Sequence, residues 1–127
     1  MLRTLVRLGV AAATFFLLTA VQTGPATAAD ATGCRIAPGT TFDFRQFCVN
    51  DRPASSYSVA FHAPAGTAGA WSITGDWVSV YVGCGATDDY CTVTTRGSNA
   101  DREVQGSKGG QFVGSAYIRW FCGSQLC

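Results

Sequence analysis

Six cysteines, Cys34, Cys48, Cys84, Cys91, Cys122 and Cys127, all fall in the last three-quarters of this chain. An even cysteine count in a short exported sequence reads as a disulfide framework, although six cysteines allow fifteen connectivities. The pairing expected here is sequential: Cys34–Cys48, Cys84–Cys91 and Cys122–Cys127. Of these, Cys84–Cys91 is the best supported, because its cysteines flank a turn between two strand-like runs. A zinc site would want C-x2-4-C pairs, usually with histidine. The intervals here are thirteen, six and four residues and the chain has one histidine, so no metal is expected.

The N-terminus supplies the oxidising compartment that such a framework needs. Arg3 and Arg7 precede an apolar run from Leu8 to Val21, and Ala26-Thr27-Ala28-Ala29 offers a small-residue cleavage site before Asp30. That is the three-part pattern of a secretory signal peptide. A membrane anchor would need roughly 17–25 apolar residues, and this run is shorter. The two arginines are not adjacent, which favours the general secretory route. The expected organisation is a signal peptide over 1–29 and a single secreted domain over 30–127, with no membrane span after cleavage.

Without residues 1–29 the remaining basic residues, Arg35, Arg45, Arg52, Arg96, Arg102, Lys108 and Arg119, are scattered among a similar number of acids. Phosphate recognition rests on clustered Lys and Arg, so neither nucleic acid nor an anionic membrane is an expected partner. The preponderance of arginine over lysine, with abundant Ala and Gly, points to a GC-rich bacterial source. A domain of this size buries about two-thirds of its surface on folding. Closing a loop of about fifteen residues adds roughly 3 kcal/mol in the chain-entropy model, so the cysteines have a sufficient structural reason to be present.

No segment has a helical period. Between frequent glycines the pattern alternates with period two, the mark of half-buried strands. Phe42 and Phe44 alternate in the first run. Tyr57, Val59, Phe61 and Ala63 share one face of the second, with Ser58, Ala60 and His62 on the other. Trp71 and Ile73 mark a third, ended by Gly75-Asp76. In the run Trp77–Gly83, Val78, Val80 and Val82 form one face, and Trp77, Ser79 and Tyr81 the other. A run over 90–95 and a weaker one around Arg102-Glu103-Val104 follow. The last, over 111–122, sets Phe112, Ala116, Ile118 and Trp120 against Val113, Tyr117 and Phe121. Seven short strands at regular spacing predict an all-β, disulfide-stapled antiparallel β-sandwich or a small barrel.

The runs Tyr57-Ser-Val, Trp71-Ser-Ile-Thr-Gly, Val82-Gly-Cys84 and Tyr90-Cys91-Thr-Val resemble the strand pattern of immunoglobulin-like or PKD-like domains. The ending Ala116-Tyr-Ile-Arg-Trp-Phe-Cys122-Gly-Ser-Gln-Leu-Cys127 is similar to the tail of small uncharacterised proteins exported by actinobacteria. Together these cover roughly residues 55–127. The resemblance implies an immunoglobulin-like sandwich and no particular activity. The chain departs from true immunoglobulin domains in lacking their Tyr-x-Cys corner, since Tyr90 adjoins Cys91, and their Cys–Trp–Cys spacing.

Catalytic signals are thin. His62 is the sole histidine, and no G-x-S-x-G elbow accompanies it. It reads as a solvated residue on the polar face of its strand. Asp88-Asp89 sit in the disulfide-closed turn, and Asp101 and Glu103 share a strand face. Such pairs can serve glycoside hydrolysis or calcium, but acidic turn residues are ordinary turn chemistry. Gly106-Ser-Lys-Gly-Gly110 lacks the G-x4-G-K-[ST] frame and reads as a turn. No catalytic residues, cofactor or metal are expected, and the chain reads as a monomer and a non-enzyme.

The aromatics carry the functional expectation. With the valine face in the core, Trp77 and Tyr81 point away from it and stand about 13 Å apart, a span for two or three sugar rings. Exposed apolar patches mark interaction sites. The leading expectation is binding of polysaccharide or cell-envelope material through Trp77 and Tyr81, against packing of that face under the Phe42–Phe47 loop. The alternatives are a secreted inhibitor of an extracellular hydrolase, presenting the Cys84–Cys91 turn, and a structural envelope protein.

Overall fold

A computed structural model describes residues 32–39, 44–97 and 100–127. The signal segment and Phe42 lie outside the described residues. Eight strands build two sheets: β1 (Gly33–Ala37), β2 (Phe47–Val49), β3 (Ser56–His62), β4 (Trp71–Gly75), β5 (Ser79–Gly83), β6 (Tyr90–Arg96), β7 (Arg102–Lys108) and β8 (Gln111–Ile118). A small hairpin, β9 (Phe121–Cys122) and β10 (Gln125–Leu126), ends the chain. One sheet has the order β1-β3-β6-β5 and the other β2-β8-β7-β4. All neighbours are antiparallel except β2, which runs parallel to β8. The expected all-β sandwich is thus the fold, with no helix among the described residues.

Among the described residues there are ten strands, where about seven were expected. The run expected at 42–44 does not form a strand at Phe44, and β1 and β2 lie on either side of it. Each is too short to show a period. The last run breaks after Ile118, so Trp120 and Phe121 leave β8 for the terminal hairpin.

The core forms where the alternation predicts it most clearly. Tyr57, Val59, Phe61 and Ala63 are buried, facing Cys91, Val93 and Thr95 of β6 in the same sheet, and Val104, Ala116 and Ile118 across the sandwich. The sheets come closest where the Phe61 ring lies against Gly106. A Cβ on Gly106 would stand 2.6 Å from the ring, nearer than van der Waals contact permits. Trp71 packs half-buried at the side of this cluster, its indole N–H donating to the Asp88 carbonyl at 2.8 Å.

The disulfides pair in sequence: Cys34–Cys48, Cys84–Cys91 and Cys122–Cys127. The first joins β1 to β2, and so one sheet to the other along one side of the sandwich. The second closes the β5–β6 turn, and the third ties the terminal hairpin.

Two β-bulges overturn the facing of two expected strands. In β5, Val80 pairs with Val93 but Val82 pairs with Thr92, leaving Tyr81 as the extra residue. Directly paired residues share a face, so Val80 and Val82 lie on opposite faces. The expected continuous valine face does not exist. Nor is it buried: Val78, Val80 and Val82 are 52%, 50% and 44% exposed, because β5 is the outermost strand of its sheet. In β8, Gly114 pairs with Gly106 and Phe112 with Ser107, leaving Val113 extra. Val113 turns into the core and Phe112 out of it, the reverse of the expected arrangement. A bulge inserts one residue into one strand, and one residue is enough to flip a period-two pattern.

The β7–β8 hairpin turns on Gly109 and Gly110, both left-handed at φ 58 and 77, as a two-residue turn requires. Gly106, Ser107 and Lys108 belong to β7, so only the end of the expected Gly106–Gly110 turn is one. Gly106→Ala would overpack the sheet contact; urea denaturation should show a loss of about 1–3 kcal/mol. Phe61→Ala should cost about 3–5 kcal/mol.

Candidate functional site

Among the described residues twelve large hydrophobic side chains are exposed, and the topology sorts them into two patches of six. One comprises Trp77, Val78, Val80, Tyr81, Val82 and Tyr90, on β5 and its flanks. The other comprises Phe47, Val49, Phe112, Tyr117, Trp120 and Leu126, on the outer face of the β2-β8-β7-β4 sheet and the terminal hairpin beside it.

The second patch is built in rows across that sheet. Phe47 pairs with Ser115, Ser115 with Gln105, and Gln105 with Thr74. The next row runs Val49, Tyr117, Glu103. On the other side Phe112 pairs with Ser107 and Ser107 with Ser72. The rings of Phe47 and Phe112 stand 6.0 Å apart, centroid to centroid. Rings thus occupy the β2–β8 half of the face, and hydroxyl, amide and carboxylate groups the β7–β4 half.

These polar groups are held in place by one another. Glu103 Oε1 accepts from Ser115 Oγ and Gln105 Nε2, both at 2.7 Å. Asp101 Oδ1 accepts the Trp120 backbone N–H, and its Oδ2 the Tyr117 hydroxyl, both at 2.8 Å. The Trp120 N–H, with help from the Tyr117 hydroxyl, holds the Asp101 carboxyl below its ordinary pKa. Gln105 and then Ser115 do the same for Glu103. Bonding to Asp101 pushes the Tyr117 phenol up. Shallow depressions of about 230 and 240 Å³ flank this network. One is lined by Thr74, Gly75, Glu103 and Gln105; the other includes Asp101, Tyr117, Trp120 and Leu126. Enclosed small-molecule sites are commonly about 300–1,000 Å³, so this is a face rather than a cleft.

The residues singled out from sequence are dispersed. Trp77 lies in the β4–β5 turn rather than on a strand, its indole N–H donating to the Ile73 carbonyl at 3.1 Å. Tyr81 is 71% exposed at the β5 bulge. Both are accessible, but they stand with the valines that were expected to fill the core. His62 is half-buried rather than fully solvated, its ring 5.4 Å from that of Phe44. Asp88 folds back to accept the Gly85 N–H at 2.8 Å, closing the turn. Asp101 lies just outside β7 and Glu103 within it. Among the described residues, no three of His, Cys, Asp or Glu converge as metal ligands.

Lys108 reads from sequence as one of the scattered basic residues, within a glycine-rich turn. It is buried in the structure, and its ammonium donates to the carbonyls of Thr67 at 2.6 Å and Ala86 at 2.9 Å. Phe47, Phe112 and Tyr117 escaped attention as a group because the bulge at Val113 and the parallel β2–β8 pairing that assemble them leave no periodic trace.

Protein-family models, curated proteins and solved structures offer no match to this chain.

Asp101 makes the face pH-dependent in a definite sense. Its folded pKa lies below the unfolded one, so its contribution to stability is complete above the ordinary Asp value of about 3.9. That contribution is lost as pH falls through the folded value. The Trp120 amide shift, followed by NMR, should therefore titrate with a midpoint below about 3.9. Asp101→Asn should abolish that step and bring the Tyr117 phenol back toward about 10.

Proposed function

We propose that this chain is a secreted, non-catalytic, immunoglobulin-like domain that binds polysaccharide on the outer face of its β2-β8-β7-β4 sheet. The observation that carries the reading is the juxtaposition of Phe47, Phe112 and Tyr117 with the fixed carboxylate of Glu103. Flat rings stack on the apolar C–H faces of sugars, and carboxylate and amide oxygens accept their hydroxyls. Among the described residues the donors to Glu103 reach Oε1, which leaves Oε2 open to a ligand hydroxyl. An open face with shallow depressions on either side suits a polymer lying across it better than an enclosed small molecule.

Strand order supports the immunoglobulin-like part. With the short β2 set aside, the strands in chain order correspond to A through G. The sheets then read ABED and GFC, the constant-type arrangement. Trp71 sits on the strand equivalent to C, where those domains carry a core tryptophan. Where they join strands B and F by a disulfide, β3 and β7 meet here through Phe61 and Gly106. Three disulfides and the N-terminal signal pattern support export.

The carboxylates favour binding over hydrolysis. A glycosidase needs one carboxyl with a raised pKa to protonate the leaving oxygen, and Asp101 and Glu103 are both pushed the other way. A second reading, inhibition of an extracellular hydrolase, is favoured by the Cys84–Cys91 turn. The disulfide, the Asp88–Gly85 bond, the Trp71 indole and the Lys108 ammonium all brace it.

A pull-down of the oxidised secreted protein on insoluble chitin, cellulose and peptidoglycan separates these. Wild type should be retained on at least one matrix. Phe47→Ala or Tyr117→Ala should weaken retention more than tenfold, as expected when a hot-spot aromatic worth about 2 kcal/mol is truncated. Trp77→Ala should not. No retention on any matrix would overturn the polysaccharide reading, and loss with Trp77→Ala alone would move the site to β5.

A further inference from the structure

The β5 edge has features of a strand awaiting another strand. Among the described residues it hydrogen-bonds to β6 on one side and to no strand on the other. Exposed edges present unpaired backbone groups, and proteins usually guard them with charges, proline, a β-bulge or a covering element. From Trp77 to Thr87 the sequence has no charged residue and no proline. The Tyr81 bulge does not guard the edge with polarity. It sends Val80 to one face and Val82 to the other, so both faces of the edge are apolar.

The other sheet ends differ. On β1, Cys34 pairs with Arg45 and is bonded to Cys48. The edge strand β4 turns Ser72 and Thr74 outward, and β2, though it carries exposed Phe47 and Val49, is three residues long, tied to β1 through Cys48 and bounded by the charged Arg45 and Asp51. An association driven by apolar edge contact therefore selects β5.

We propose that β5 pairs antiparallel with β5 of a second copy, giving a continuous sheet of order β1-β3-β6-β5-β5-β6-β3-β1. Charge decides for a second copy over a charged partner. Self-pairing about a two-fold axis brings each residue opposite the same stretch of strand, and like charges there would oppose it. This strand has none. With Val80 near the axis, the Val80 side chains of the two copies meet across it on one face. The nearest acids, Asp76 and Asp88, lie beyond its two ends.

The symmetry has a functional consequence. Antiparallel pairing of identical strands places the two-fold perpendicular to the joint sheet, so both β2-β8-β7-β4 layers lie on the same side of it. Their outer faces then point the same way. If those faces bind polysaccharide as proposed above, the dimer is bivalent toward one surface, and linked sites gain avidity without any new contact. The pairing itself does not depend on that reading. It replaces the monomer expected from sequence, which had the valines in the core and left no apolar edge.

Sedimentation equilibrium of the oxidised secreted protein, from about 1 to 300 μM, tests the pairing without any glycan. That range suits an interface at the small end of the specific class. Wild type should show a reversible monomer–dimer equilibrium. Val80→Lys and Tyr81→Lys each place a charge on the edge and should weaken dimerisation at least tenfold, while Phe112→Ala should leave it unchanged. Because a Val80 variant could misfold, Tyr81→Lys, at the most exposed position of the strand, serves as the second probe, with circular dichroism confirming the fold of each. A single monomeric species at every concentration would overturn the proposal, as would a dimer indifferent to both lysines. With dimerisation established, Tyr81→Lys should lower retention on the insoluble matrix while leaving affinity for a soluble oligosaccharide unchanged. Equal loss of both would remove the bivalent consequence and leave the dimer standing.

Discussion

The contact between Phe61 and Gly106 sets how the two sheets meet. A large ring from the middle of β3 reaches the backbone of β7 because residue 106 has no side chain to stop it. Tyr57, Val59, Val93 and Val104 then fill the space around that approach. The irregularity of the second sheet begins one step further along: Gly106 pairs with Gly114, and the next pair skips Val113. The extra residue drives a small apolar side chain into the core and turns Phe112 outward toward Phe47. The inner packing and the outer aromatic face therefore depend on the same short stretch of β7 and β8. A change that altered the pairing at Gly106 would be felt on both sides of the sheet.

Away from that contact, single buried polar side chains hold the loops. Asn50 donates to the Tyr57 hydroxyl and the Arg119 carbonyl, and accepts the Arg119 N–H at 2.6 Å. It thereby ties the β2–β3 connection to the chain leaving β8. Lys108 does the same at the end of β7, binding the β3–β4 loop and the Cys84–Cys91 turn through their carbonyls. A carbonyl left without its donor in such a place costs about 1–3 kcal/mol. These links have no periodic signature, yet they decide which loops are rigid enough to support a neighbouring face.

What could be read from the chain follows from how far each strand obeys period two. β3 alternates without interruption through Tyr57, Val59, Phe61 and Ala63, and every one of these is buried. β5 shows an equally regular alternation of valines, yet none of the three is in the core. The difference lies in position. β3 is flanked by strands on both sides and covered by the second sheet, whereas β5 is bent by a bulge at the rim. Sequence encodes the alternation but not a strand's place in its sheet, and the place decides burial. Disulfide spacing was more legible, because short separations leave few alternatives to sequential pairing. The aromatic face was not legible. Its members come from strands far apart in the chain, joined by a parallel pairing only three residues long.

The two exposed apolar patches differ in what lies between their rings. On the β2-β8-β7-β4 face, Phe47 and Tyr117 neighbour hydroxyl and carboxylate groups fixed by bonds to one another. A partner settling there must supply hydroxyls or other donors as well as apolar surface, because covering an ionised carboxylate without a donor costs more than burying the rings returns. On β5, the polar side-chain groups between Trp77 and Gly83 are the Tyr81 hydroxyl and that of Ser79, which is shared with Thr94 at 2.8 Å. A partner there needs apolar side chains and a backbone edge, and little else. A sugar polymer would meet the first requirement and another strand the second. The separation of the patches, on different sheets with β5 at a rim and the other on an outer face, would let one domain meet both proposed partners at once.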